Sequence, residues 1–286
     1  MKHSTGTKRS ITDDDRRLLV FRAAELSARS ENSAVASSFL TPSEQRTVFE
    51  AECARNGADR LFFWGGYVGA ERRKAVFLPA WLDVPKMPRA VFSAEREELF
   101  IKCLSEYGYE EVLWEFISVM ELRESGFSNL SHRDRLGALM ALGLKRNVLG
   151  DIAGNKNRLL LFADKGCCEY ISTHLQRVGR DRVICTPCEG DISFSPERSF
   201  KELSFTVASP RADGVIRTLC GISRENAVQL ILSGSAELNY YPLTDTSAKL
   251  SAGDILSLRG YGKFIIDRAQ DETAKGRIRV LARKYI

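Results

Sequence analysis

Apolar positions along the chain recur with two periods, and the changes of period mark the elements. The first ten residues are polar and are expected to fray. A helix is expected from Asp13 to about Arg29. A second starts after Thr41, with Pro42 at its first position and Glu44 placed to complete a capping box, and it stops at Gly57. The unbroken apolar run Leu61-Phe62-Phe63-Trp64 reads as a buried strand, Gly65-Gly66 as a turn, and Lys74 to Leu78 as the next strand. Pro79, Pro85 and Pro88 then interrupt the pattern, which sets an α/β domain at residues 1–88.

Helical spacing resumes over 93–107, where Leu99, Phe100, Cys103, Leu104 and Tyr107 share one face. A strand is expected from Phe116 to Leu122, a helix from Ser131 to Leu142, and strands at Val148 to Ile152 and Arg158 to Ala163. A helix over Cys168 to Val178 and a strand from Arg182 to Cys185 complete the series. The order β-α-β-β-α-β is that of ferredoxin-like or RRM-like domains. An RRM stacks bases on aromatics of its central strands. Here the third strand offers Phe162 alone, so the fold is expected without that mode of binding. Gly190 to Ser199 reads as a linker, which sets the middle domain at 89–196 and a last domain at 197–286. The fold class expected is therefore α+β in three small domains.

In the last domain, Arg211 to Leu219 reads as a short helix stopped by Gly221. Ser223 caps a second helix that buries Ala227, Leu230 and Ile231 and ends at Gly234. Strands follow at Ala236 to Asn239, Ile255 to Leu258 and Phe264 to Ile266, the last two joined by Gly260-Tyr261-Gly262.

Charge sharpens this layout. The 286 residues carry a net charge of +5, which alone says little. Residues 197–286, however, hold 14 basic and 10 acidic side chains, and residues 133–182 hold 10 and 5. Clustered positive charge concentrates a polyanion at a surface. Arginine adds a planar fork that fits phosphate. The candidate phosphate contacts are Arg211, Arg217, Ser223, Arg224, Lys249, Arg259, Lys263, Arg277 and Arg279 in the last domain. In the middle domain they are Arg133, Arg135, Lys145 and Arg146. Arg224 falls in the first turn of its helix, where exposed N–H groups and the helix dipole favour an anion.

Other constellations are weaker. Cys185-Thr186-Pro187-Cys188 with Cys167-Cys168 could supply four thiolates to zinc, but adjacent cysteines make an unusual half-site. A redox pair would want a helix start directly after the first Cys, and Pro187 with Glu189-Gly190 suggests a loop. His132-Arg133-Asp134 is similar to a kinase catalytic loop, yet the required Asn is Leu139. Gly65-Gly66-Tyr67-Val68-Gly69 lacks the first glycine of a dinucleotide fingerprint. His3, His132 and His174 are scattered, and Trp64, Trp81 and Trp114 read as packing residues. No metal, cofactor or catalytic residue is expected. Neither a signal-peptide core nor a membrane-spanning run is found, and seven irregularly spaced cysteines suit a reducing, cytoplasmic setting.

Arg211-Ala212-Asp213, Ser223-Arg224 with Ala227, Gly234, Asn239 and Gly253-Asp254 together resemble the S4 domain, a module that binds structured RNA. Ala212 departs from the usual Leu, and Tyr240-Tyr241 replaces the common Gly after Asn. The resemblance widens to the YlmH family through Ser131 to Leu139, Gly143-Leu144-Lys145-Arg146, Leu149-Gly150-Asp151-Ile152, Arg259 to Phe264 and Lys275 to Arg279. Phe39-Leu40-Thr41-Pro42, Gly65-Gly66-Tyr67 and Ala70-Glu71-Arg72 also fit it. That family implies an amino-terminal α/β domain, an RRM-like middle and a terminal S4 domain. It implies a role in ribosome-associated quality control, with contacts to ribosomal RNA and peptidyl-tRNA on a stalled large subunit. No sequence-specific DNA binding and no membrane contact are implied.

Two rivals remain: an RNA-modifying enzyme that docks through the last domain, and a protein-interaction scaffold linked to cell division. A pseudouridine synthase would need a catalytic Asp in an Arg-Leu-Asp context, and a methyltransferase a glycine-rich cofactor loop. Neither is found in residues 1–196.

Overall fold

The computed structural model describes residues 12–88, 94–272 and 276–285. The expected fraying of the first ten residues lies outside that range, as does Lys275. The chain divides into two compact units, Met1–Glu197 and Arg198–Ile286.

The first unit opens with α1 (Asp13–Arg29), β1 (Val35–Leu40), α2 (Pro42–Asn56), β2 (Leu61–Trp64) and β3 (Arg73–Phe77). Thr41 and Glu44 close the capping box at the head of α2. The three strands form an antiparallel sheet in the order β1-β3-β2. Both faces are covered, which is why the apolar run in β2 is continuous rather than alternating. Leu61 and Phe63 face one core with Val48, Phe49 and Phe77. Phe62 and Trp64 face another.

α3 (Ala94–Glu106) and α4 (Val112–Glu115) lead into β4 (Ile117–Glu124), α5 (His132–Ala141), β5 (Leu149–Gly154), β6 (Leu159–Asp164), α6 (Cys168–His174), β7 (Arg177–Val178) and β8 (Asp181–Cys188). The sheet order is β5-β6-β4-β8-β7 with antiparallel neighbours. Two β-α-β units thus interleave. Met120, Leu122, Leu161 and Ala163 face a core with Leu139 of α5 and Ile171 of α6. Ile117, Val119, Leu160 and Phe162 face the other way, into the core that also holds Phe62, Trp64 and Phe100.

That shared core changes the expected layout. Residues on both sides of position 88 build it, so the prolines there do not separate two cores. The expected linker from Gly190 is also largely part of this unit. Phe194 is buried edge-on against Tyr67, with ring centroids 5.6 Å apart, and the Glu197 N–H donates to the Gly154 carbonyl at 2.8 Å.

Two local expectations are corrected. The helix expected to reach Val178 ends at His174, because Val178 is buried in a hairpin opposite Asp181 across the two-residue turn Gly179-Arg180. The segment from Cys185 to Cys188 is strand, not loop, and pairs with β4. Pro187 is tolerated because β7 covers the outer edge of β8 only near Arg182.

The second unit comprises β9 (Phe200–Val207), α7 (Ala212–Cys220), α8 (Arg224–Leu232), β10 (Ala236–Leu238), β11 (Tyr241–Pro242), β12 (Ile255–Leu258), β13 (Gly262–Glu272) and β14 (Ile278–Tyr285). Its antiparallel sheet runs β11-β10-β12-β13-β14-β9. Val215 and Ile216 of α7 and Ala227 and Ile231 of α8 bury against Leu256, Phe264, Val280 and Ala282 of the sheet.

Candidate nucleic-acid interface

The second unit gathers cations around the start of its helix pair. Arg211 occupies the N-cap position of α7, in extended conformation. A β-bridge joins it to Lys249, flanked by bonds from the Ala212 N–H to the Ala248 carbonyl at 2.8 Å and from the Leu250 N–H to the Pro210 carbonyl at 2.8 Å. Gly221, at φ +65°, closes α7 in the left-handed region that a side chain resists. The chain reverses there, and Ser223 caps α8 by accepting from the Asn226 N–H at 3.2 Å.

Asp213, buried in the first turn of α7, ties the two helix starts together. It accepts from Arg224 Nε at 2.9 Å and Nη2 at 2.7 Å, from Arg211 Nε at 3.3 Å, and from the Gly214 N–H at 2.8 Å. Burial pushes the Asp213 pKa up. The arginines and the backbone N–H outweigh it and hold the carboxyl below its ordinary 3.8. Arg224 was expected to offer its charge to an anion at the helix start. It instead shares that charge with Asp213, while its side chain stays 63% exposed. Arg217 on α7 and Lys249 in the facing loop are exposed beside this cluster.

The remaining expected contacts of this unit come from the strands and their turns. Arg259 is exposed at the β12–β13 turn. Lys263 is held between aromatics, its Nζ 3.0 Å from the Tyr240 hydroxyl, 4.6 Å from the Tyr240 ring centroid and 5.3 Å from that of Tyr285. Arg277 donates to the Thr206 carbonyl at 2.9 Å, and Arg279 pairs with Thr206 and Asp271 in the sheet. Both occupy the end of the β13–β14 hairpin remote from Lys263.

In the first unit the expected residues separate by role. Arg133 and Lys145 are exposed. Arg135 is engaged with Glu124, at 2.5 Å through Nε and 2.9 Å through Nη2, and that bond raises its pKa. Arg146 turns inward and donates to the carbonyls of Leu149 at 2.6 Å and Gly150 at 3.2 Å. Burial, and then repulsion from Arg72, pushes its pKa down to about 10, which leaves it charged at neutral pH.

Sequence reasoning missed the reason for this turn. Arg72 donates to the carbonyls of Leu149, Phe39 and Arg146 at 3.0–3.2 Å. Asp151 accepts from the Tyr67 hydroxyl at 2.9 Å, the Glu71 N–H at 2.7 Å and the Arg72 N–H at 3.1 Å. Loss of surrounding water pushes the Asp151 pKa up, against those donors. The short motifs Phe39-Leu40, Gly65-Gly66-Tyr67, Glu71-Arg72 and Leu149-Gly150-Asp151 therefore meet at one seam between the two sheets. A Cβ on Gly66 would lie 2.2 Å from Phe162, and one on Gly150 would lie 2.7 Å from Phe39. The repeated recurrence of Gly beside Tyr, Arg and Asp was the available signal.

The four cysteines weighed for zinc are free thiols. Burial pushes the Cys185 pKa up to about 12 and raises those of Cys167 and Cys188. Among the described residues no group of three or more His, Cys, Asp or Glu is arranged to hold a metal. No helix among them is long and apolar enough to cross a membrane.

Residues 116–190 match the family model described as "Putative RNA-binding domain in YlmH". The chain is 26% identical over 242 residues to "Ribosome-associated protein quality control protein P2" of Bacillus subtilis, covering 85% of this chain and 84% of that one. The solved structure "Cell division protein ylmH from Streptococcus pneumoniae" aligns with 64% of this chain and 96% of its own, at 17% identity and a TM-score of 0.40.

Proposed function

The chain belongs to the YlmH family, and on that premise we propose that it docks on structured RNA of the large ribosomal subunit, through ribosomal RNA and peptidyl-tRNA, in ribosome-associated quality control. The second unit is read as an S4 domain and the interleaved β-α-β sheet as RRM-like. The protein grips without chemistry of its own, in the cytoplasm, with no cofactor. The observation that carries this reading is the cluster built on Asp213, which fixes two arginine forks beside exposed Arg217 and Lys249. Phosphate contacts of this kind position a protein by shape rather than by base sequence.

Co-sedimentation of the full chain with large subunits, with and without peptidyl-tRNA and across a salt series, tests it. Saturable binding that favours the tRNA-carrying subunit is expected, and Arg217→Ala with Lys249→Ala should weaken it. Each lost phosphate contact lowers the log–log salt slope by about 0.9 on a duplex-like target. Absence of binding at physiological salt would sink the proposal.

A further inference from the structure

The β4–β8 face of the first unit is only half covered. Val119 and its register partner Cys188 lie under the shared core. Four residues further along the same face, Arg123 and its partner Ile184 are open to solvent, and the Ile184 residue is 66% exposed. Beyond them the β4–α5 loop lifts Phe127 into solvent at 91% exposure, the most exposed large apolar side chain among the described residues.

This loop is pinned at both sides of Phe127. The Ser125 N–H donates to the Arg182 carbonyl at 3.0 Å. Ser128 donates to buried Asp181 through its N–H at 3.1 Å and its hydroxyl at 2.5 Å. The same bonds seat the loop on the β7–β8 turn, which carries exposed Arg177, Arg180 and Arg182. The one acid of that turn, Asp181, is spent on Ser128 and buried. Glu121 lies toward the covered end, beside Arg123 at 3.1 Å. An exposed aromatic side chain on an anchored loop is thus bound by backbone and Ser128 to a turn that carries three exposed arginines.

We propose that Phe127 and the arginines of the β7–β8 turn form a binding site for an unpaired RNA nucleotide, with the ring stacked on the base and Arg177, Arg180 and Arg182 on the flanking phosphates. The inference rests on the RNA-binding reading above and adds a single-strand contact to it. In a duplex the base faces are already stacked, so an isolated ring can engage only a splayed base. Stacking is indifferent to base identity, and the arginines supply the electrostatic funnel that single-strand binders share. An apolar protein partner fits less well, because Phe127 and Ile184 are two side chains among four arginines. The anchoring also means that little order is lost on binding.

The test uses the full chain with two probes, a 12-nucleotide single-stranded RNA and a 12-base-pair RNA duplex. Phe127→Leu should weaken single-strand binding about ten-fold or more, given the usual worth of one base–aromatic stack. Phe127→Trp should retain it, and duplex binding should stay unchanged in both variants. Ultraviolet crosslinking of the single strand should mark the tryptic peptide from Glu124 to Arg133. At so exposed a position neither substitution should alter the circular dichroism or the melting temperature. Equal single-strand affinity for Phe127→Leu and the wild type overturns this site and, if the duplex still binds, leaves the wider RNA reading standing. Unchanged affinity for both RNAs with lost ribosome co-sedimentation assigns the face to a protein partner and also overturns it. Binding of neither RNA by the wild type removes both readings.

Discussion

Asp151 in the first unit and Asp213 in the second are both carboxylates flanked by arginines, yet the arginines point in opposite senses. Around Asp151, Arg72 and Arg146 turn inward and their donors go to backbone carbonyls. Around Asp213, Arg211 and Arg224 are drawn to the carboxylate but remain at the surface, 40% and 63% exposed. The first arrangement joins two sheets. The second presents fixed forks to whatever lies outside. Motif residues of one type therefore serve packing in one unit and a surface in the other.

Glycine offers the sharpest way to break this comparison. Gly66→Ala sets a Cβ 2.2 Å from the Phe162 ring, at a φ of +102° that alanine resists. Overpacking and the left-handed backbone should together cost about 3–5 kcal/mol. Gly214 lies inside α7, and a Cβ there meets only the Ser209 carbonyl, at 3.9 Å. Gly214→Ala should be neutral or stabilise by up to about 1 kcal/mol. Urea unfolding of the two variants reads the difference. A mild effect at Gly66 would mean that the seam can yield and that its motif residues are not there for packing.

The arginines follow with a smaller effect. Arg146→Ala leaves the Leu149 and Gly150 carbonyls without that donor and should cost about 1–3 kcal/mol of stability. It should leave the salt slope of RNA binding unchanged. Arg217→Ala should do the reverse: stability within about 0.5 kcal/mol, and a slope lower by about 0.9. If Arg146→Ala lowers the slope as well, the seam is also a binding surface.

This contrast explains what the sequence made legible. The capping residues Thr41 and Ser223 placed the starts of α2 and α8, and Gly57 and Gly221 placed the ends of α2 and α7. β9 escaped notice because Lys201, Glu202 and Ser204 obscure its alternation; it lies at the edge of its sheet, and its partner β14 comes more than seventy residues later. No local pattern reports such a pairing. The same limit applied to the site. Arg135 and Arg146 look as available as Arg133 and Lys145 until Glu124 and the Leu149 carbonyl are brought beside them. Phe127 gave no signal, since one aromatic in a polar loop has no period.

Acid separates the two aspartates at the next level of effect. The Asp213 pKa is held below 3.8 in the fold, so its contribution to stability is present above that pH and is lost as pH falls through the lower folded value. The Asp151 pKa is raised above 3.8, so protonation favours the folded form, and its burden on stability is relieved as pH falls toward 3.8. Carboxyl carbon NMR should place the Asp151 midpoint above 3.8 and that of Asp213 below it. Asp213→Asn should shift acid unfolding of the second unit to higher pH, while a variant lacking the Asp151 carboxyl should not. Matching midpoints would remove the electrostatic half of the comparison.

The smallest effect concerns His132, at the start of α5 between the two kinds of arginine. Its pKa lies below 6.5, first because burial disfavours the imidazolium and then because Arg146 and Arg135 repel it, with Asp151 and Glu71 only partly offsetting. Above pH 6.5 the ring is neutral, so the positive charge at this helix start comes from Arg133 rather than His132. RNA affinity should therefore be flat between pH 7 and 8. Any gain from this residue should appear only as pH falls below 6.5, and His132→Gln should abolish that gain without changing affinity at pH 7.5. Replacing Arg146 by Met should raise the His132 midpoint measured by NMR, because it removes the larger of the two repulsions while keeping most of the side-chain volume. A midpoint that does not move would mean that the inward turn of Arg146 leaves it electrically remote from α5, and that the seam and the exposed cations of the first unit are independent.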